Sequence, residues 1–240
     1  MVTGGSRGIG GAIATAFAAE GADVAFCHDD DPEGAAAVVA VIRGYGRRAL
    51  AVQCDVADDE AVRRFWAEGE RVLGPIDILV NNAGIGGEQP FESIELAMFD
   101  RMIAVNLRAL FHFAKLATPG MRRRRWGRIV NIASQLAYRG APGLAHYCAA
   151  KAGVVGLTRA LAVELAGSGI LVNAIAPGMV ETQLNDGLTD EWKARKLGEL
   201  PIGRFGVPSE IAPTAVLLAS SDGDFYVGQT LSPNGGDVFL

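Results

Sequence analysis

Tyr147 and Lys151 stand four residues apart in the strongly helical stretch Tyr-Cys-Ala-Ala-Lys. That spacing sets a phenol and an ammonium on one face of a helix, one turn apart. A free phenol, with a pKa of ~10, exchanges its proton poorly at neutral pH, and a nearby cation favours the phenolate. Bringing the phenol down by two or three units demands about 3–4 kcal/mol of its surroundings. Lys151 is placed to supply part of it. A bare Tyr-x-x-x-Lys pair is an ordinary amphipathic contact, but Ser134 closes the apolar run Ile129–Ala133. Its hydroxyl is thereby expected at the carboxyl end of a parallel strand, where open α/β sheets bind ligands.

A second group is glycine-rich. Thr3-Gly4-Gly5-Ser6-Arg7-Gly8-Ile9-Gly10 leads into a helical pattern at Ala12, so the amides of a tight turn and of a helix N-terminus converge on one place, an anion site. Glycine lets a pyrophosphate approach the backbone, and Gly10 permits close packing of helix on sheet.

These groups need a scaffold, and the chain supplies alternating β-branched runs and longer helical patterns, the signature of βαβ units. The expected strands are 23–27, 49–54, 76–81, 128–133, 171–176 and 229–232, nearly all apolar, as a sheet covered on both faces requires. The expected helices are 12–19, 33–43, 58–72, 96–116, 145–165 and 209–219, with Asp58 and Ser209 at N-caps and Gly21, Gly44 and Gly74 beyond helix ends. The fold class is α/β: a single domain over residues 1–240, built as a Rossmann-type doubly wound parallel sheet of about seven strands with helices on both faces. Its first strand is short of chain. Met1, Val2 and Thr3 alone precede the glycines, about 10 Å at ~3.3 Å per residue, so the natural chain is expected to begin upstream of Met1. Residues 177–206 carry the least pattern and read as a mobile loop on the substrate side.

Composition narrows the function. Hydrophobic residues make up 50% and charged residues 20%, which allows a large core and excludes intrinsic disorder. The 22 basic and 27 acidic residues give a net charge of −5, which attracts neither phosphate backbones nor anionic membranes; neither nucleic acid nor a membrane is an expected partner. Cys27, Cys54 and Cys148 form no Cys-x-x-Cys or Cys/His cluster, so no metal site or disulfide framework is indicated, and a reducing, cytoplasmic setting is expected. No signal peptide is expected from the opening residues, and no window of ~20 apolar residues is present.

Taken in order along nearly the whole chain, the motifs resemble the short-chain dehydrogenase/reductase family. They are the Gly-x-x-x-Gly-x-Gly spacing from Gly4 to Gly10, Cys54-Asp55-Val56, Asn81-Asn82-Ala83-Gly84, Asn106, Ser134, Tyr147 with Lys151, and Pro177-Gly178 followed by Thr182. The resemblance implies an NAD(P)(H)-dependent oxidoreductase that interconverts a carbonyl and a secondary alcohol. In the reduction it implies, hydride from the nicotinamide attacks the carbonyl carbon, Ser134 stabilises the oxygen and Tyr147 donates the proton. Lys151 holds the ribose and, with the positive oxidised nicotinamide, lowers the Tyr147 pKa; Asn106 anchors a proton-returning water chain. It also implies a cofactor set: Gly4, Ser6, Arg7, Gly8, Ile9 and Gly10 at the pyrophosphate, His28 at the adenosine 2′ position, and Asp55 and Val56 at the adenine. Asn82, Ala83 and Gly84 lie beside the adenine ribose, and Pro177, Gly178, Val180 and Thr182 at the carboxamide and phosphates.

Substrate contacts are expected from Ser134, Gln135, Leu136, Leu144 and Tyr147. His146 faces away from its neighbour Tyr147 by about 100° and reads as packing. Arg7, and His28 where NAD-preferring members carry an Asp, favour NADP(H); the run Asp29-Asp30-Asp31 opposes it and keeps NAD(H) as the alternative. Leu200-Pro201-Ile202-Gly203-Arg204 and Asn234-Gly235-Gly236 are similar to 3-oxoacyl-(acyl carrier protein) reductase-like members. That similarity implies a small carbonyl or alcohol substrate, an acyl thioester among them, and a homotetramer; a small ketone or polyol dehydrogenase is the alternative. Arg125 matches a carrier-docking position, whereas Ser168 stands where another arginine is typical. A non-catalytic redox sensor is the rival class, and an intact Ser134, Tyr147 and Lys151 speaks against it.

Overall fold

The computed structural model describes residues 1–185 and 187–239. Its helices are Gly8–Ala19 (α1), Pro32–Gly44 (α2), Asp59–Leu73 (α3), Leu96–Ile103 (α4), Ala109–Arg124 (α5), Ala145–Leu165 (α6), Asp190–Glu199 (α7) and Pro208–Ala219 (α8). The strands Val24–His28 (β1) and Ala49–Gln53 (β2) pair in parallel. Ile78–Asn81 (β3), Gly127–Ile132 (β4), Ile170–Ile175 (β5) and Thr230–Leu231 (β6) pair in parallel in that order.

Val2 joins the two groups by bridging Phe26 of β1 and Val80 of β3. Its N–H donates to Ala25 O at 2.9 Å, its carbonyl accepts from Cys27 N at 3.1 Å, and Thr3 N donates to Val80 O at 3.0 Å. Three residues thus fill the place of the first strand, because a central position is paired from both sides and Val2 is fully buried. The order β2, β1, residues 1–3, β3, β4, β5, β6 is the doubly wound arrangement expected.

Alternate residues of each strand enter opposite cores, as the period of two dictates. Val24, Phe26, Val80 and Val130 pack under Ile13, Phe17, Ile42 and Ile211 from α1, α2 and α8. Ala25, Leu79, Ile129 and Val172 pack under Phe65, Trp66, Phe113 and Leu165 from α3, α5 and α6.

The structure corrects the expected elements in five places, the first being the start of α8, where Val207 and not Ser209 is the N-cap residue. Helix α1 starts at Gly8, within the glycine motif, where low helix propensity hid it. Gly44 belongs to α2, and the left-handed residue beyond it is Gly46, with φ +72°. The expected helix 96–116 is interrupted by a π-helical turn, Ala104–Arg108, and then runs on to Arg124. The stretch 177–206, expected as a loop, holds α7, which Thr189 caps by accepting from Trp192 N at 3.2 Å.

Candidate active site

Strand β4 delivers Ser134, whose hydroxyl oxygen accepts from Leu136 N at 3.1 Å and starts a short 3₁₀ turn. Helix α6, packed on the same sheet face, presents Tyr147 and Lys151 one turn apart. The Ser134 hydroxyl stands close enough to the Tyr147 phenol to pull its pKa down. Lys151 Nζ donates to Ile132 O at 2.8 Å and sits 5.7 Å from the centre of the Tyr147 ring. Asn106, in the π turn and fully buried, accepts from Ile85 N at 3.2 Å and donates to Ile85 O at 3.0 Å. Gly84 is where these groups meet: a Cβ there would stand 2.7 Å from Asn106 Oδ1 and 3.7 Å from Lys151 Nζ. Ser134, Tyr147, Lys151 and Asn106 are therefore brought together as the motifs implied.

Their protonation differs from the expectation. Burial pushes the Tyr147 phenol up to about 12, with the Ser134 hydroxyl pulling the other way. Burial also pushes the Lys151 ammonium down to about 8. Desolvation disfavours both charged forms, so the chain by itself holds Tyr147 as an acid and does not lower its pKa. A stability consequence follows. Unfolded chain keeps the Lys151 proton up to its ordinary value of 10.5, folded chain releases it near 8, so between these values the unfolded state binds more protons and stability rises with pH. Lys151→Met is expected to flatten that rise, worth up to about 3 kcal/mol, when denaturant midpoints of the cofactor-free proteins are compared between pH 8 and 10. An unchanged slope would remove the assignment.

At the other end of the cleft, Gly4 and Gly8 take left-handed backbone, φ +63° and +55°. Thr3 Oγ1 accepts from both Asn82 N and Ala83 N at 2.9 Å, and Asn82 Nδ2 donates to Thr3 O and Gly4 O at 3.0 and 2.9 Å. The Asn82 side-chain N–H groups thus build the turn. Arg7, at the N-cap of α1, gives no side-chain cap, which leaves the first helical amides to an anion. A side chain on Gly8 would meet Thr182 Cγ2 at 3.4 Å, and the opening between them belongs to a cleft of roughly 650 Å³ lined by Arg7, Gly8, Val180, Thr182, Lys193 and Leu197 among others. Ser6 and Ile9 flank the same turn, and the bare backbone there fits a pyrophosphate.

The residues expected at the adenosine are more committed. His28 ends β1, and its Nδ1 accepts from Asp31 N at 3.3 Å. Asp31 caps α2 by accepting from Gly34 N at 3.1 Å and lies 3.9 Å from Arg7 Nε. The Ser6 hydroxyl, the Gly34 N–H and Arg7 together hold its carboxyl below the usual range. Asp55 accepts from Arg101 at 2.8 Å and from Ala57 N at 2.9 Å, contacts that outweigh burial and keep it ionised. Val56 packs in the α3 core and offers backbone alone to a ligand.

On the substrate side, Pro177 O accepts from Gln135 N at 3.0 Å and Gly178 N donates to Pro233 O at 3.1 Å. Val180 is buried, and Leu136 and Leu144 are half-buried. Sequence reasoning missed Thr3 as the clasp of the glycine turn, Arg101 on Asp55, and the buried chain Asn81 to Asn131 to Thr158, at 2.8 and 2.9 Å. It also missed Asp237, which accepts from Gln135 Nε2 at 2.5 Å. Each joins residues far apart in the chain, at no fixed spacing.

An anion-binding glycine turn and a Ser–Tyr–Lys group on one edge of a doubly wound sheet define a dinucleotide-dependent oxidoreductase. Comparison with known proteins agrees. The family profile described as Enoyl-(Acyl carrier protein) reductase matches residues 4–237. The 3-oxoacyl-(acyl-carrier-protein) reductase FabG of Staphylococcus aureus is 42% identical over 98% of this chain and 96% of its own. A blue fluorescent protein from a metagenomic library, solved with NADPH, is 38% identical with a TM-score of 0.93, over 99% of this chain and 96% of that one. A 7α-hydroxysteroid dehydrogenase, solved with NADH and 7-oxo glycochenodeoxycholic acid, is 35% identical with a TM-score of 0.94, over 99% and 92%. The chain belongs to the short-chain dehydrogenase/reductase family and is an NAD(P)-dependent oxidoreductase acting on CH–OH groups.

Proposed function

We propose that the protein reduces the ketone of a 3-oxoacyl thioester, with Tyr147 as the proton donor. The observation that carries this reading is the Ser134 hydroxyl beside a Tyr147 phenol that burial keeps protonated. Bound NAD(P)H supplies the hydride. Ser134 orients the carbonyl oxygen and donates to it as negative charge develops. Tyr147 gives that oxygen its proton; an alkoxide, about as basic as hydroxide, takes it readily even from a phenol near 12. Lys151 holds the nicotinamide ribose, and Asn106, through its pairing with Ile85, anchors the water path that reprotonates the site. Gln135, Leu136 and Leu144 border the substrate, and residues 177–206 serve as its flap. The thioester is favoured by the likeness to the staphylococcal reductase across the full length. Turnover of acetoacetyl thioesters with NADPH, well above that of simple ketones and polyols, is the expected result; the reverse preference would favour a small ketone or polyol dehydrogenase.

The cofactor we infer is NADP(H). Arg7 is 57% exposed at the rim of the cleft, and Oδ1 of Asp31 is occupied in capping α2 while Oδ2 lies 3.9 Å from Arg7 Nε. Arg7→Ala is expected to weaken NADPH binding by about tenfold and leave NADH nearly unchanged, since a charge-assisted contact to the 2′-phosphate is worth roughly 1.5–3 kcal/mol. Equal effects on both cofactors would point to NAD(H). A homotetramer joined through the α5 and α6 faces fits their exposed Phe111 and Val163, 52% and 87%.

A further inference from the structure

Asp237 lies in the C-terminal tail with its side chain 3% exposed, and it is surrounded by donors from two distant segments. Lys196 Nζ of α7 and Arg139 Nη1 each reach its Oδ1 at 2.7 Å, and Gln135 Nε2 reaches its Oδ2 at 2.5 Å. Burial opposes the charged form, but Lys196, Gln135 and Arg139 outweigh it and hold the carboxyl below its ordinary value. Helix α7 lines the opening beside Gly8 and Thr182 through Lys193 and Leu197, and through Lys196 and Asp237 it is tied to Gln135, the residue after Ser134. A carboxylate can accept and cannot donate, so the Gln135 amide is fixed with Nε2 toward Asp237. Its Oε1 is left buried without a protein partner, an acceptor that a hydroxyl or N–H of a bound ligand would satisfy.

We propose that Asp237 is a positioning residue for substrate binding, docking α7 through Lys196 and orienting Gln135 beside Ser134. The inference rests on the reading of Ser134 and Tyr147 as the reacting site. The test is steady-state kinetics with acetoacetyl thioester and NADPH, together with amide hydrogen exchange, on the full chain and its Asp237→Asn and Lys196→Met variants. The expected result is a substrate KM raised about tenfold or more in both variants, with kcat within about threefold, and faster exchange confined to residues 187–206. A lower Tm with unchanged substrate KM and unchanged exchange would overturn the proposal and leave Asp237 a merely structural group. If Asp237→Asn does not fold, Lys196→Met decides alone. If the unmodified protein turns over no carbonyl substrate, the reductase reading has failed, and the exchange of α7 still reports whether the clamp docks it.

Discussion

Replacing Tyr147 by Phe is expected to lower kcat by roughly 10³-fold, the range set by loss of a positioned proton donor. The ring is retained, so packing on α6 is kept and the fold should lose no more than the single polar contact with Ser134, about 1 kcal/mol. Lys151 keeps its bond to Ile132 O, and the glycine turn is untouched. Cofactor affinity should therefore stay close to that of the parent protein, measured by fluorescence titration beside the turnover assay. Activity within tenfold of the parent would show that the proton comes from elsewhere. Loss of both turnover and cofactor binding would mean the phenol holds the site together rather than serving its chemistry.

The second large effect is expected at Gly10. A Cβ there would lie 2.1 Å from Gly4 O and 2.4 Å from Asn82 Nδ2, the two groups that hydrogen-bond each other to hold the turn against the end of β3. Backbone cannot yield as a flexible side chain does, so Gly10→Ala has to push α1 away from the sheet, at a cost typically of 1–3 kcal/mol or about that order. The amides that face the anion move with it, and cofactor affinity should fall by more than about tenfold. Gly11 is the control. Its added Cβ would meet neighbours at 3.5 Å or more, and alanine is the better helix former by up to about 1 kcal/mol. Calorimetric Tm and cofactor titration on the two variants should diverge, Gly11→Ala holding or gaining stability while Gly10→Ala loses it. Parallel behaviour would refute the packing account.

The parts of this molecule legible in the sequence are those in which chemistry and conformation share a short stretch. Tyr147 and Lys151 sit one helical turn apart, Ser134 follows an apolar strand, and the glycines open α1; each can be read within a few residues. Helix α7 was hidden because Asp190–Glu199 is largely polar and shows no broad apolar stripe; it is held by its Thr189 cap and by Lys196 reaching Asp237, a contact 41 residues away in sequence. The π turn was hidden because one added residue barely disturbs a helical period. The direction of the Tyr147 shift could not be read from a neighbouring lysine, since it depends on burial by segments folded over it.

The bridge at Val2 has a consequence for how the molecule holds together. Among the described residues, β1 with β2 on one side and β3 through β6 on the other share no ladder except the one that Met1–Thr3 supply. His28, expected at the adenosine, rides on the first half, while Ser134 and its partners ride on the second. One apolar core spans that junction, with Val24 and Phe26 packing beside Val80 and Val130 under α1, α2 and α8. A dinucleotide spanning the cleft would touch both halves, so its binding energy would add to the packing that already joins them.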